Sequence, residues 1–272
     1  MAERELKPIV ESYNLDEEPL YNKTYLFIKG FATGRCFNNT LRALPIARMV
    51  HNGQYRKGTI EINGLKQRVP YLLHILKVCG TLISLESLLH LSNEELDVLY
   101  AASLLHDWKE DNEEMFPTSK SEFVEKFGLH ERIYDIICLL SKYEGADEYD
   151  LNVYFNSIKK DKLALLIKMA DVSHNSESLY NVKNVNKNIK EIRTYILKGL
   201  SKYGKQNYPE LSNVITILKS KILSLIETIE TLSEKQEKII REKDAKIQEL
   251  EEKMKQIEKE LFILQLQEDD GK

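Results

Sequence analysis

The spacing of apolar residues predicts that most of this chain is helical. Apolar positions recur every three or four residues from Asn39 to His51, from Pro70 to Leu82 and from Ser92 to His106. Asn38 or Asn39 is expected to cap the first of these helices, and Ser92 with Glu95 forms a capping-box sequence at the start of the third. The pattern therefore indicates a bundle rather than a sheet.

Further helices and one hairpin complete the predicted fold. Residues 133–140 and 163–170 repeat the helical spacing, and Ser119 and Gly128 are suited to begin and end a short helix. Residues 59–69 instead alternate apolar and polar side chains around Asn63-Gly64, a dipeptide that favours a tight hairpin turn. The expected fold class is therefore all-α, a helical bundle with a small β-hairpin insertion and a long C-terminal helix.

A seven-residue repeat follows Pro209, in a region without glycine or proline until Gly271. One set of positions along the repeat is Ile240, Ile247, Met254 and Leu261, and the complementary set is Leu250, Ile257 and Leu264, with Lys243 as an exception. Such a repeat predicts a coiled-coil seam, in a homo-oligomer or against a partner helix. The expected domains are an N-terminal lead-in (1–38), a catalytic domain (39–208) and a helical extension (209–272).

Composition excludes several classes of function. The chain has 272 residues, 39 Lys plus Arg against 43 Asp plus Glu, and a formal net charge of −4, so it lacks the basic character of nucleic-acid-binding proteins. Cys36, Cys79 and Cys138 form neither a disulfide framework nor a zinc pattern. No targeting sequence or run of apolar residues long enough to span a bilayer is present, and a cytoplasmic protein without membrane contact is expected.

Ionisable side chains are concentrated in residues 101–111, AASLLHDWKED. If the helix continues through this segment, the i, i+4 relation places His106 beside Glu110 and Asp107 beside Asp111. His74 and Asp171 could complete a set of nitrogen and oxygen ligands on separate helices. Taken singly, each of these residues also fits a structural role, as a buried core histidine or a polar helix end.

Two imidazoles with two carboxylates suit Mn²⁺ or Fe²⁺ better than a closed zinc site rich in thiolates. A metal held in this way can polarise a phosphoryl oxygen and lower the pKa of water, which phosphate-ester hydrolysis requires. Glu110 and Asp111 could then orient the water or accept its protons. The pattern thus indicates a metal-dependent phosphohydrolase.

Four motifs in fixed order resemble the HD hydrolase domain of the Rel/Spo-type alarmone enzymes, which remove the 3′-pyrophosphate of (p)ppGpp using Mn²⁺. They are HNGQYRK (51–57), PYLLH (70–74), LLHDWKED (104–111) and KMADVSHNSES (168–178). The resemblance covers roughly residues 39 to 200. Ile75 and Val172 replace a proline and an arginine that are common in the family, but neither change removes a ligand.

The resemblance implies a role for each matching residue. The metal ligands would be His74, His106, Asp107 and Asp171, and the catalytic pair would be Glu110 and Asp111. Substrate would be bound by Arg56, Lys57, Asn175 and Ser178, while His51 would support the structure. The implied cofactor is Mn²⁺, with Fe²⁺ as an alternative, and the products are GDP or GTP and pyrophosphate.

Two alternatives remain beside this reading. Glu177 stands where the family commonly has a basic residue, and the hairpin between Lys57 and Pro70 is longer than the family's connection, so another nucleotide such as NADPH could be the substrate. The protein could instead be a regulatory module that senses a nucleotide and signals through its coiled coil. Nothing resembles a synthetase domain, so alarmone synthesis is not expected.

Overall fold

The computed structural model describes residues 18–62, 65–142, 145–181 and 184–269, which are mainly helical. The predicted all-α class is confirmed: a helical bundle carries one small antiparallel hairpin and ends in a long helix. The hairpin pairs Thr59 with Arg68 and Ile62 with Leu65. Asn63-Gly64, the predicted turn, lies outside the described part of the chain.

The elements are labelled in chain order. The helices are α1 (Glu18–Arg35), α2 (Asn38–Val50), α3 (Tyr71–Ser84), α4 (Asn93–Leu105), α5 (Trp108–Asp111), α6 (Lys120–Phe127), α7 (Glu131–Leu140), α8 (Glu148–Ile158), α9 (Lys162–Ser176), α10 (Val185–Glu191), α11 (Ser201–Asn207) and α12 (Ser212–Asp269). The strands are β1 (Tyr55–Ile62) and β2 (Leu65–Pro70), and a π-helical segment, Ile192–Leu200, joins α10 to α11.

Helix α4 lies at the centre of the bundle. Every residue from Leu96 to Leu105 is buried, because α2, α3, α7 and α9 pack around it. A helix that is covered on all sides lacks the polar face of a surface helix, which explains why its sequence is apolar beyond a single stripe. The C-terminal end of α4 therefore lies inside the bundle, among the helices that pack around it.

Local capping signals begin and end several helices as the sequence predicted. Ser92 and Glu95 form a complete capping box at α4, and the Ser119 side chain accepts from the Glu122 N–H at α6. Gly128 ends α6 with φ of 62°, a conformation that favours glycine. These signals act within one turn of helix, so the sequence is sufficient to find them.

The cap of α2 differs from the expectation. Neither Asn38 nor Asn39 is the N-cap; Phe37 occupies that position and provides no side-chain cap. Instead the buried Asp97 of α4 accepts from the backbone N–H groups of Asn39 and Thr40 at 2.9 and 2.8 Å, and from the Thr40 hydroxyl and the Asn39 amide. We call Asn39, Thr40 and Asp97 the Asp97 cluster; it ties α2 to α4.

The helix predicted from Ser92 to His106 ends at the candidate ligand pair. Helix α4 ends at Leu105, His106 is its C-cap, and Asp107, with φ of −95° and ψ of −1°, precedes the single turn of α5. The i, i+4 relation expected for a continuing helix holds only within α5, where the Asp111 N–H donates to the Asp107 carbonyl at 2.9 Å, and His106 and Asp107 lie at a bend. This bend turns their side chains toward α3 and α9.

The chain divides into two compact units, Met1–Leu223 and Ser224–Lys272. The second unit is the C-terminal part of α12, and its side chains are exposed from Leu232 to Lys259. The predicted division at residues 38 and 208 stays a prediction. Within the described ranges, no helix is both long and apolar enough to cross a bilayer.

Candidate metal centre

Three elements bring the predicted metal ligands together. His74 lies on the first turns of α3, His106 and Asp107 form the bend after α4, and Asp171 lies on α9. The side chains of both histidines and of Asp171 are at most 4% exposed, and that of Asp107 is 14% exposed. We call these four residues the histidine–carboxylate cluster.

The Nε2 atoms of the two histidines face the same two carboxylates. His74 Nε2 lies 3.2 Å from Asp171 Oδ1 and 3.7 Å from Asp107 Oδ2. His106 Nε2 lies 3.2 Å from Asp107 Oδ2 and 3.8 Å from Asp171 Oδ1. One ligand atom from each of His74, His106 and Asp107 falls within 4.8 Å of the others, an arrangement that could hold a metal ion.

Hydrogen bonds on the far side of each ring orient the imidazoles. His106 Nδ1 donates to the backbone carbonyl of Ser103 at 2.8 Å. His74 Nδ1 lies 2.6 Å from His174 Nδ1, which also lies 3.3 Å from an Arg56 guanidinium nitrogen. Because a guanidinium can only donate, His174 Nδ1 accepts and His74 Nδ1 donates. On both cluster histidines Nδ1 is therefore the outer donor, and Nε2 is the atom that faces inward and that a metal would bind.

His174 can accept this bond because its ring is neutral. Burial, together with the nearby Arg56 guanidinium, lowers the pKa of His174 to about 2. A neutral imidazole with Nδ1 as acceptor carries its proton on Nε2, which lies 3.8 Å from Glu177. The ring therefore acts as a fixed acceptor behind His74.

The carboxylates of the cluster also have partners outside it. The Tyr71 hydroxyl donates to Asp107 Oδ2 at 2.7 Å. Asp171 accepts from the Asn175 amide at 2.6 Å and from the Lys168 ammonium at 3.0 Å. Burial opposes their ionisation, yet His106 for Asp107 and Lys168 for Asp171 hold the pKa of each well below its usual range. Both carboxylates are consequently ionised.

The inner nitrogens of the cluster are unsatisfied. Among the described residues, the buried Nε2 atoms of His74 and His106 have no hydrogen-bond partner, although each faces carboxylate oxygens. Burial opposes protonation of His106, yet Asp107 and Asp171 raise its pKa to about 10, so without a metal the ring carries a positive charge between the carboxylates that a bound cation would replace. The donor set of two imidazoles and two carboxylates therefore fits a divalent metal ion of the Mn²⁺ or Fe²⁺ type.

Glu110 and Asp111 lie beside the cluster and not within it. Both are exposed, and Glu110 accepts from the backbone N–H of Lys142 at 3.1 Å. Partial loss of hydration and the nearby charge of Asp107 raise the pKa of Asp111 to about 6, and loss of hydration also raises the pKa of Glu110. A carboxylate whose pKa is close to neutrality is suited to exchange protons.

The predicted substrate residues form a second group next to the cluster. One guanidinium nitrogen of Arg56 donates to the Asn175 side-chain oxygen at 2.8 Å and to the Ser178 hydroxyl at 3.1 Å. Asn175 in turn donates to Asp171, so the group is joined to the candidate metal ligands. The side chain of Lys57 lies outside the described part of the structure.

Glu177, the acidic residue at the expected basic position, is paired. Lys221 of α12 donates to Glu177 Oε1 at 2.7 Å. This ammonium offsets the negative charge that Glu177 would otherwise place near Arg56. His51, expected to be structural, is buried, hydrogen-bonds Gln54 through Nδ1 at 2.7 Å and lies against the ring of Tyr71.

Three contributors to the site were not identified from the sequence. His174 orients His74, Tyr71 donates to Asp107, and Lys168 pairs with Asp171. His174 and Lys168 are each three residues from Asp171 on α9, so helical spacing could have placed both on the face of that ligand. Tyr71 lies three residues before His74, so the same spacing could have placed it beside that ligand.

No protein family model matches the chain. One similar solved structure is described as a metazoan ortholog of SpoT that hydrolyses ppGpp and plays a role in starvation responses. It is 20% identical, with a TM-score of 0.48, and the match covers 70% of this chain and 94% of that one. At this level the likeness adds no argument about function, which depends on the side chains of the site.

Proposed function

We propose that the protein is a metal-dependent hydrolase that removes the 3′-pyrophosphate of (p)ppGpp, giving GDP or GTP and pyrophosphate. The observation that carries the proposal is the pair of buried, unpartnered Nε2 atoms of His74 and His106, each within 4 Å of Asp107 and Asp171. The four ordered motifs of the sequence support the choice of substrate.

His74, His106, Asp107 and Asp171 would hold a divalent cation, with Mn²⁺ as the first candidate. Bound there, the ion would supply a Lewis acid for the phosphoryl group and make water more acidic. The chain itself contributes the orientation of the ligands, through His174 and the Ser103 carbonyl, and two ionised carboxylates that attract the cation.

Glu110 and Asp111 would transfer the protons of the reaction. Hydrolysis breaks the bond between phosphorus and the ribose 3′ oxygen, so hydroxide from water joins the pyrophosphate and a proton reaches the 3′ oxygen. Asp111, with its pKa near 6, is ionised at neutral pH and can accept a proton from the attacking water. The Glu110 carboxyl, positioned by the Lys142 N–H, can return a proton to the leaving oxygen.

Arg56 and its partners would bind the nucleotide. The guanidinium is already oriented by Asn175 and Ser178, so its planar face could stack on a guanine ring, or its remaining N–H groups could bind a phosphate. Such preorganisation lowers the entropic cost of binding. Lys57 is proposed for the same role on the basis of its motif alone.

The test is a nucleotide panel with purified full-length protein supplemented with Mn²⁺. We expect ppGpp and pppGpp to release pyrophosphate, and NADPH to stay intact. His106→Ala should lower turnover by at least about 100-fold, since losing a metal ligand should exceed the effect of losing a residue that orients one. His90→Asn, remote from the cluster, serves as the control and should keep full activity.

Each result of the panel has a clear meaning. If NADPH is cleaved and ppGpp is inert, the proposed substrate is wrong while the hydrolase site stands. If ppGpp binds tightly but no nucleotide is cleaved and no metal is retained, the protein is a nucleotide-sensing module. Normal turnover in a folded His106→Ala protein, checked by circular dichroism, would remove the candidate metal centre from the reaction.

A further inference from the structure

The second unit of the chain carries an exposed apolar stripe, independent of the proposed hydrolase site. Helix α12 continues to Asp269. Ile240, Ile247, Leu250, Met254 and Ile257 are between 50% and 61% exposed. All five occupy the a and d positions of one heptad register, with Ile240 at an a position. A helix that exposes such a seam gains stability when another helix covers it.

Charged residues flank the stripe in a consistent order. The g positions hold Lys246 and Lys253, and the following e positions hold Glu251 and Glu258. All four side chains are exposed. Within the helix both lysines now contact Glu249, at 2.8 and 2.6 Å, on the side away from the e positions. The flanks of the seam are therefore basic on one side and acidic on the other.

We infer that this segment pairs with a second copy of the chain as a parallel, in-register, two-stranded coiled coil. In a parallel pair each g residue faces the e residue of the next heptad in the partner helix, so Lys246 meets Glu251 and Lys253 meets Glu258 of the second copy. In an antiparallel pair g faces g and e faces e. That arrangement would bring lysines against lysines and glutamates against glutamates.

The core residues favour the same geometry. β-branched Ile240 and Ile247 at a positions with Leu250 at a d position are the combination that favours two parallel strands. Lys243 occupies the d position between them, and in register the two lysines share a single layer of the seam. A shift by one heptad would spread the polar residue over two layers, which disfavours every other alignment.

The first experiment measures the oligomeric state of the full-length protein by sedimentation equilibrium at micromolar concentration. The dimer mass is expected. Leu250→Asp, which places a carboxylate in the seam, should give the monomer mass, and Ala245→Asp, the same charge on the outer face, should stay dimeric. A wild-type monomer would overturn the inference.

The second experiment reads orientation from disulfide formation. In a Cys36→Ser background, Ile240→Cys and Met254→Cys are prepared separately and oxidised. These a positions are two heptads apart, and a parallel in-register pair brings each against itself, so both variants should form disulfide-linked dimers. An antiparallel pair can bring at most one position against itself, and a mixed result would exclude the proposed orientation.

The third experiment tests the charge pattern. Lys246→Glu with Lys253→Glu should weaken dimerisation by at least about tenfold, because the contacts with Glu251 and Glu258 of the second copy become repulsive. Adding Glu251→Lys and Glu258→Lys restores opposite charges and should restore the dimer. If the fourfold variant stays as weak as the double variant, the flanking charges do not select this partner. The dimer would then depend on the apolar seam alone.

Discussion

The Asp97 cluster and the histidine–carboxylate cluster are both groups of buried polar side chains, and they differ in how their atoms are paired. Each oxygen of Asp97 accepts from N–H or O–H groups of Asn39 and Thr40. The Nε2 atoms of His74 and His106 instead lie 3.2 to 3.8 Å from carboxylate oxygens and make no hydrogen bond of good geometry with the described residues. A complete set of partners suits a structural role, whereas an incomplete set at a buried centre calls for a cation.

The comparison shows why burial of a charged residue does not by itself identify a functional site. Asp97 is as deeply placed as the ligand carboxylates, yet it replaces a missing helix cap and joins two helices. The pairing of each atom separates the two roles. Substitutions in the two clusters should therefore have different effects, on stability in one case and on metal binding in the other.

The largest effect on stability is expected from Asp97→Ala. This change leaves the backbone N–H of Thr40 without an acceptor, and the Thr40 hydroxyl keeps only the backbone carbonyl of residue 97 at 3.3 Å. It should lower the free energy of unfolding by about 2 to 4 kcal/mol, or the Tm by about 5 to 15 °C. Thermal and urea unfolding measure the loss. Mn²⁺ affinity, measured on the folded protein, should not change.

The control is Asp135→Ala, which removes a surface carboxylate that pairs with Lys120. It should cost less than about 1 kcal/mol, because exposed ion pairs contribute little. If Asp97→Ala lowers metal affinity as much as stability, the two clusters are not separate, and the distinction drawn from their pairing fails.

A smaller effect is expected when an orienting residue is removed. His174→Ala deprives His74 Nδ1 of its acceptor and should weaken Mn²⁺ binding about 10- to 100-fold, measured by calorimetric titration of the metal-free protein. Tyr71→Phe removes the hydroxyl that donates to Asp107 and should weaken it by about tenfold.

His174→Gln offers a matched rescue, since its amide oxygen can accept the same hydrogen bond, and it should recover part of the lost affinity. His90→Asn controls for the loss of an imidazole elsewhere. Unchanged affinity in His174→Ala would mean that the packing of α3 alone orients His74.

The smallest change concerns pH. Loss of hydration and the charges of Asp107 and Glu110 raise the pKa of Asp111 to about 6. A base must be deprotonated to act, so kcat/KM should be constant above this pKa and fall about tenfold per pH unit below it. A bound cation favours the ionised carboxylate, so it can only move this fall in kcat/KM to lower pH.

The measurement is a profile of kcat/KM from acidic to neutral pH at saturating metal, with metal binding followed in parallel. Asp111→Asn should lower turnover across the whole range. The fall in kcat/KM could instead coincide with the release of metal, and not with the titration of Asp111. The pH dependence would then belong to the histidine–carboxylate cluster.

Several features could be read from the sequence because they depend on neighbouring residues. The capping box of Ser92 and Glu95, the left-handed end of α6 at Gly128 and the periodicity of α4 and α9 are all decided within a few residues. The candidate ligands could also be named from their motifs. Asp171 and Asn175 are four residues apart on α9, a spacing that puts them on one helix face, and they are hydrogen-bonded at 2.6 Å.

Other features depend on packing between distant parts of the chain. Asp97 caps α2 through Asn39, which lies 58 residues earlier in the chain. No local sequence pattern predicts that contact. The direction of the chain after His106 is another such feature: both His106 and Asp107 turn their side chains toward α3 and α9.

The sequence by itself determined which side chains could bind a metal, the helices that carry them and the heptad pattern of the C-terminal segment. Only the tertiary structure decided that His74, His106, Asp107 and Asp171 meet within 4 Å, and that His174 and Tyr71 orient them. The reason is physical: propensity and periodicity act along a few residues, whereas the pairing of buried polar atoms depends on how separate helices pack.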